Sequence, residues 1–155
     1  MERIKRYAKI YIHYGHDKFD PNSFVEIRNN MWNKPVGGLW ASDVNAKFGW
    51  KQWCKDENFR DCTKENSFIF KLKEKSKILI IKSQNDLHNL PLESNVPEYI
   101  NNMCLCIDFE KLKERYDALE ILISNDRRLY NDLYGWDCDS LLVLNKNCID
   151  EIKFK

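Results

Sequence analysis

The segment Gly37-Gly38-Leu39-Trp40-Ala41-Ser42-Asp43 decides the fold of this chain, because it joins a pair of glycines to a short apolar strand. The paired glycines permit backbone angles that other residues avoid. Leu39 to Ser42 predicts a strand, and the pattern after it predicts a helix that starts at Asp43, whose carboxylate can cap it. The aromatic residues of that helix lie near a shared face: Phe48, Trp53 and Trp50. The segment therefore predicts a strand that passes directly into an amphipathic helix.

Outward from this segment, hydrophobic alternation predicts five further strands. They are residues 9–14, 67–72, 77–82, 118–123 and 140–144, the last being the terminal strand. Residues 109–119, with Asp108 as the cap, and residues 127–133 have helical patterns. Residues 84–97 form a polar connection marked by prolines. Because strands and helices do not alternate regularly, the sequence predicts a single compact α+β domain over residues 1–155. Its strands are expected to be short and mainly antiparallel, and its helices few.

Length and composition restrict the class of protein. The chain has 155 residues and a net charge of +1, so it can bury a core but lacks the basic excess that drives non-specific nucleic-acid binding. No apolar run reaches membrane-spanning length, and the basic start Met1–Arg6 is not followed by the apolar core of a signal peptide. We therefore expect a cytoplasmic protein with no membrane partner. Without a G-x-G-x-x-G or P-loop sequence, the usual dinucleotide-binding and NTPase folds are not expected.

The six cysteines bear on metal binding and redox state. They form no C-x-x-C pair, and their spacing supplies no recognisable set of zinc ligands. His13, His16 and Asp17 are a thin basis for any other metal site. We expect no metal and buried free thiols.

Three elements that are distant in the sequence carry groups suited to one ligand, a flat cationic heterocycle joined to a sugar. His13 lies near the end of the first predicted strand, Trp40 in the second, and Asp139 at the start of the terminal strand. Aromatic faces hold a cationic ring by stacking and cation–π attraction. A carboxylate stabilises the positive charge that develops on a ribose when the ring leaves. Nicotinamide of NAD is the obvious ligand of this kind.

The motifs that carry this chemistry resemble those of the ADP-ribosyltransferase superfamily, in its diphtheria-toxin-like and poly-ADP-ribose-polymerase-like branch. They are Ile12-His13-Tyr14-Gly15, Gly38-Leu39-Trp40-Ala41-Ser42-Asp43 and Asp139-Ser140-Leu141-Leu142-Val143-Leu144. The resemblance implies an ADP-ribosyltransferase-like fold. It also implies a mono-ADP-ribosyltransferase that cleaves NAD as its substrate and passes ADP-ribose to a macromolecular acceptor, protein or nucleic acid. Such a protein would be a toxin, phage or defence effector, with a cognate antitoxin or inhibitor as a further partner.

The resemblance also implies roles for individual residues. Asp139 would support the transition state, and His13 would anchor a ribose. The residues implied to contact NAD are His13, Tyr14, Gly15, Trp40, Ser42, Trp50 and Trp53.

Some positions depart from the family pattern and leave alternatives open. Tyr14 stands where a glycine is usual, Trp40 replaces a tyrosine, and Asp139 replaces a glutamate. Asp137 and Glu120 are rival candidates for the acidic residue. Two other functions remain alternatives: a catalytically inactive binding or inhibitor protein on the same fold, and an NAD glycohydrolase.

Overall fold

The computed structural model describes residues 9–30 and 33–153 of the chain. The basic segment Met1–Arg6 considered above lies outside these residues. Seven strands form one sheet: β1 Tyr11–Tyr14, β2 Leu39–Asp43, β3 Ser67–Leu72, β4 Ile78–Ile81, β5 Ala118–Ile121, β6 Ser140–Val143 and β7 Ile149–Ile152. Four short α-helices accompany them in the described part of the chain: α1 Trp50–Asp56, α2 Glu98–Asn101, α3 Phe109–Arg115 and α4 Leu129–Asp132. Short 3-10 segments lie at Pro21–Ser23, Gln84–Asn89, Ile123–Asn125 and Lys146–Cys148.

The sheet is mostly antiparallel and has the strand order β4-β5-β6-β2-β1-β3-β7. Among these seven strands of the described residues, only β4 and β5 pair in parallel. The first two strands of the chain therefore lie in the middle of the sheet, with β6 beside β2 and β3 beside β1. The predicted compact α+β domain with short, mainly antiparallel strands and few helices is confirmed.

Side chains alternate between two faces of the sheet, and each face carries an apolar cluster. One cluster is built from β4, β5 and β6 with Phe109 and Leu112 of α3 and Leu129 of α4, and Trp40 packs against it. The other contains Tyr11, Phe68, Phe70, Leu141 and Val143, with Phe19 and Phe24 packed on it. We call the face that bears the Trp40 indole the Trp face, and the face that bears the His13 imidazole the His face.

Several sequence predictions are corrected by the structure. No helix starts at Asp43: this residue ends β2, and α1 begins only at Trp50. The helix predicted for residues 109–119 ends at Arg115, because β5 begins three residues later. Residues 140–144 are not the terminal strand, since β7 follows and pairs with β3. The cap by Asp108 is confirmed, because its side chain accepts a hydrogen bond from the Lys111 N–H.

The remaining strand predictions agree with the structure to within one or two residues at either end. No disulfide joins the six cysteines, all of which lie within the described residues; five of them are buried, as predicted, and Cys62 is half-buried. In residues 9–30 and 33–153 no helix combines the length and the apolar character that crossing a membrane requires.

Candidate functional site

His13 is held by hydrogen bonds from both ring nitrogens. Its Nδ1 lies 2.7 Å from the Trp40 carbonyl oxygen on the neighbouring strand, and its Nε2 lies 2.9 Å from Nδ1 of His16. The ring also packs against Phe68, with the ring centres 5.1 Å apart. Burial lowers the pKa of His13 below its usual value, although the bond to Trp40 opposes this, and His16 and Arg60 add smaller lowering contributions. The imidazole is therefore neutral and fixed in orientation near neutral pH.

Tyr14 and Gly15 complete the end of β1. The Gly15 N–H donates to the Asn66 carbonyl at 2.9 Å, so this group is already used within the protein. Gly15 has a φ of +123°, a conformation that glycine tolerates best. Burial raises the pKa of the half-buried Tyr14 hydroxyl. The two residues thus turn the chain out of the sheet and leave the Tyr14 ring beside an open cleft.

Trp40 belongs to an aromatic cluster on the Trp face. Its ring centre lies 4.8 Å from that of Trp136 and 6.2 Å from that of Trp50, both in edge-on contact. Trp50 in turn packs edge-on against Trp53 at 5.8 Å. The Lys34 ammonium lies 5.7 Å from the Trp40 ring centre and 5.9 Å from that of Trp50. These two indoles, predicted to clamp nicotinamide, therefore already hold a cation of the protein itself.

Ser42 ties three elements together. Its hydroxyl donates to the Asp139 carbonyl oxygen at 2.8 Å and accepts from the Trp50 N–H at 3.0 Å. These bonds fasten the end of β2 both to the start of β6 and to the start of α1. Ser42 is itself buried, so its bonds are shielded from water. Its role in this structure is to fix the position of neighbouring elements.

Asp139 has a buried carboxylate whose oxygens are both engaged. One oxygen accepts from the Ser124 N–H at 2.9 Å, and the other accepts from the Ser124 hydroxyl at 2.7 Å and the Phe48 N–H at 3.3 Å. Only 4% of the residue is exposed. Hydrogen bonds to a charged group are among the stronger ones in proteins. Asp139 therefore anchors the segments on either side of it, and it lines neither of the two openings described below.

The rival acids lie in different surroundings. Asp137 is exposed. Glu120 is only 1% exposed, and its Oε1 accepts from the Lys9 ammonium at 2.8 Å. The Tyr11 hydroxyl also donates to it, and burial raises the pKa of the Glu120 carboxyl despite both partners. Glu120, on β5, therefore forms a polar cluster with Lys9 and Tyr11, and none of these three residues borders either of the two openings described below.

The strand register places the rings of His13 and Trp40 on opposite faces of the sheet. Ile12 pairs with Ser42, so His13 stands opposite Ala41, and Trp40 is one residue further along β2. Because successive side chains of a strand point to opposite faces, the two rings diverge. The structure brings Trp40, Ser42, Trp50 and Asp139 together on one side. It places His13 with a different set of neighbours.

Two openings lie at the end of β1, and the smaller one borders His13. A small, mainly apolar cavity of about 170 Å³ is bordered by His13, His16, Phe24, Leu39 and Phe68. Trp40, whose carbonyl oxygen reaches His13, also borders it. An open cleft of about 840 Å³ lies next to it, and Lys18, Phe19 and Phe68 border both.

The open cleft is rimmed by charged side chains. Its lysines are Lys18, Lys51, Lys64 and Lys153, and its carboxylates are Asp17 and Glu151. Glu151 is oriented by the Phe19 N–H, which donates to its Oε1 at 3.2 Å. Sequence reasoning missed Glu151 because β7 was not predicted. It also gave no signal for the lysines, which come from four separate parts of the chain.

Comparison of the chain with protein-family models, with curated proteins and with solved structures found no match. Within residues 9–30 and 33–153, no group of three or more His, Cys, Asp or Glu side chains is placed to hold a metal ion. Functional inference therefore depends on the geometry around His13 and on the motif resemblance.

Proposed function

We propose that this domain binds NAD beside His13 and is a mono-ADP-ribosyltransferase that passes ADP-ribose to a macromolecular acceptor. The observation that carries the proposal is the pair of openings at the end of β1, where His13 borders the smaller one, Tyr14 borders the larger one, and Lys18, Phe19 and Phe68 border both. The small apolar cavity suits a flat ring, and the charged rim of the cleft suits the pyrophosphate of a dinucleotide. Pockets that bury ligands of this size usually have volumes of about 300–1,000 Å³.

Charge distribution supports the same ligand. Four lysines and two carboxylates border the open cleft, so its rim has an excess of positive charge. A cleft of one sign raises the local concentration of the opposite charge. The pyrophosphate of NAD would lie in the cleft near Lys18. The nicotinamide ring would enter the apolar cavity between His13 and Phe24.

The chemical step requires a carboxylate near the ribose. As nicotinamide leaves, positive charge develops on the ribose carbon, and a nearby negative charge lowers the barrier. Asp139 has both oxygens bonded to Ser124 and Phe48, so its role is to position β6 and its neighbours. Glu151 is the better-placed acid, because it lines the cleft and the Phe19 N–H orients it. This assignment moves the catalytic carboxylate from the residue implied by the motif to one on β7.

The first test is NAD binding measured by thermal unfolding. A ligand at 100 times its Kd stabilises the folded state by about 2.7 kcal/mol. For a domain of this size the Tm should rise by about 5–11 °C. Lys18→Ala should weaken binding about fivefold, the effect of losing a partly exposed ion pair of about 1 kcal/mol. Lys111→Ala on α3 is the matched control, because this exposed lysine borders neither opening.

The second test is release of nicotinamide from NAD by the purified protein, with and without cell lysate. Glu151→Gln should abolish release while NAD still raises the Tm. Release that depends on lysate, with label from NAD appearing on a macromolecule, indicates transfer, whereas release without lysate indicates NAD hydrolysis. Asp139→Ala and Trp40→Ala test the roles that the motif resemblance implies. If NAD neither stabilises the fold nor loses nicotinamide, the proposal is wrong.

An inactive NAD-binding or inhibitor protein on the same fold is a second candidate. The observation that favours it is the engagement of the Asp139 carboxylate, which leaves the acid of the motif without a free oxygen. Binding of NAD without nicotinamide release in any condition would select this function over the transferase.

A further inference from the structure

The two histidines at the end of β1 form a directed chain of hydrogen bonds. The Trp40 oxygen is a carbonyl and can only accept, so the Nδ1 of His13 that lies 2.7 Å from it must carry the proton. The neutral imidazole then has a lone pair on Nε2. That lone pair accepts from Nδ1 of His16 at 2.9 Å. The geometry therefore assigns the same tautomer to both rings, with Nδ1 protonated.

This arrangement leaves no free nitrogen on His13. One nitrogen is bonded to the main chain of β2 and the other to His16, so a ligand can reach neither without displacing a partner. Within residues 9–30 and 33–153, only the Nδ1 of His16 has a hydrogen-bond partner. Its ring is exposed, and its centre lies 5.2 Å from that of the His13 ring with an angle of 16° between the two planes, so the bonded rings lie side by side and nearly coplanar. Both rings border the small cavity.

We propose that His16, and not His13, presents the imidazole nitrogen that contacts the ligand, with His13 acting as the positioning residue that orients it. The ligand group in question is a hydroxyl, which donates its hydrogen to the Nε2 lone pair of His16. In NAD this hydroxyl would belong to a ribose, so the inference rests on the proposed function. It departs from the motif resemblance, which gives the ribose contact to His13.

Other charged groups border the same space and must be separated from the effect of His16. Lys18 and Asp20 line the small cavity, and the Arg60 guanidinium lies beside Gly15, on the side where His13 Nε2 also lies. None of them is bonded to either imidazole in the described residues. His88, the third histidine, is exposed on the 3-10 turn Gln84–Asn89 and does not border either opening. It therefore serves as the matched control.

The tautomers can be read directly by nitrogen NMR of protein labelled with ¹⁵N-histidine. Protonated and unprotonated ring nitrogens resonate far apart, and three histidines give a simple spectrum that His13→Gln, His16→Gln and His88→Gln assign. Near neutral pH we expect a protonated Nδ1 and an unprotonated Nε2 for His13, and for the neutral form of His16 we expect the proton on Nδ1. Addition of NAD should shift Nε2 of His16 more than either nitrogen of His13. The opposite tautomer at His16 would overturn the proposal.

Binding measurements complete the test. His16→Ala should weaken NAD binding about tenfold, the loss expected for one hydrogen bond of about 1.4 kcal/mol, while His88→Ala should leave it unchanged. His13→Asn should weaken binding and also change the tautomer signals of His16, which a purely structural effect elsewhere would not do. If wild-type protein binds NAD and His16→Ala binds it equally well, this inference alone fails. If wild-type protein does not bind NAD, the proposed function fails with it.

Discussion

Lys9→Met is the most direct probe of how this fold tolerates a buried charge. Glu120 is 1% exposed, and the Lys9 ammonium donates to its Oε1 at 2.8 Å. The Tyr11 hydroxyl is its other hydrogen-bond partner, and Asp43 lies 4.0 Å from the same ammonium. Replacing Lys9 by methionine keeps the apolar stem of the side chain and removes its charge. The Glu120 carboxylate is then left with Tyr11 and a second carboxylate nearby.

The magnitude follows from the exposure of the two partners. Removing one member of a fully buried ion pair costs about 3–5 kcal/mol. The Lys9 side chain is 39% exposed, so water already screens part of the interaction. We therefore expect a loss of about 2 kcal/mol in the free energy of unfolding at pH 7. For 155 residues this corresponds to a Tm lower by about 4–8 °C in thermal denaturation followed by circular dichroism.

Glu120→Gln should behave differently. Burial raises the pKa of the Glu120 carboxyl above its unfolded value of 4.5, so the unfolded chain ionises first as the pH rises. Stability should therefore fall as the pH rises from about 4.5 towards the folded pKa, and Gln should remove this decline. At pH 7 we expect Glu120→Gln to be neutral or stabilising, and to recover most of the loss when combined with Lys9→Met. A lower Tm for Glu120→Gln than for Lys9→Met, or no recovery in the double variant, would refute this reasoning.

Three further predictions test other parts of the structure. Asp139→Asn should lower the free energy of unfolding measured in urea by about 3 kcal/mol, because an amide cannot accept all three hydrogen bonds from Ser124 and Phe48. Asp137 is exposed, so the control Asp137→Asn should change this free energy by less than about 0.5 kcal/mol. Gly38→Ala should cost more than about 2 kcal/mol, since its φ is +78° and a Cβ would lie 2.7 Å from Leu142 Cδ1; an unfolding midpoint equal to that of wild type would contradict the strain. The free energy of unfolding of the wild type should fall as the pH drops below about 6.5, because the unfolded chain then binds a proton at His13 while burial in the folded chain lowers the pKa of this residue. His13→Gln should reduce this dependence of stability on pH.

The strands were predictable because their sequences carry a local signal. Ser67–Leu72 and Ile78–Ile81 are rich in apolar and β-branched residues, and both form strands as expected. β7 has the sequence Ile-Asp-Glu-Ile, which has too little apolar character to stand out. Its existence depends on backbone pairing with β3, a contact between residues about 80 positions apart in the sequence. The prediction of a helix at Asp43 was wrong for a related reason, since Asp43 pairs with Tyr11 and extends β2.

The candidate site was predictable only in part. The motifs indicated which strands carry the candidate site residues, and these strands, β1, β2 and β6, do lie near one another in the sheet. The faces on which their side chains lie depend on register, because a shift of one residue moves a side chain to the other face. The sequence carries no local signal for the pairing of Ile12 with Ser42, which separates the rings of His13 and Trp40. The position of Glu151 in the cleft likewise required β7 to be placed beside β3.

The separation of the two rings bears on where the proposed NAD site would lie. A single nicotinamide cannot contact both the His13 and the Trp40 side chains, because the sheet lies between them. On the Trp face, the Lys34 ammonium already occupies the indoles of Trp40 and Trp50, and a second cation there would meet a like charge. On the His face, a small apolar cavity borders the His13 ring. The larger, lysine-rimmed cleft is not confined to that face, because Ile12 lines it and has its side chain on the Trp face. The Trp cluster therefore packs α1 against the sheet, and the cavity beside His13 is the place that we propose for the nicotinamide ring.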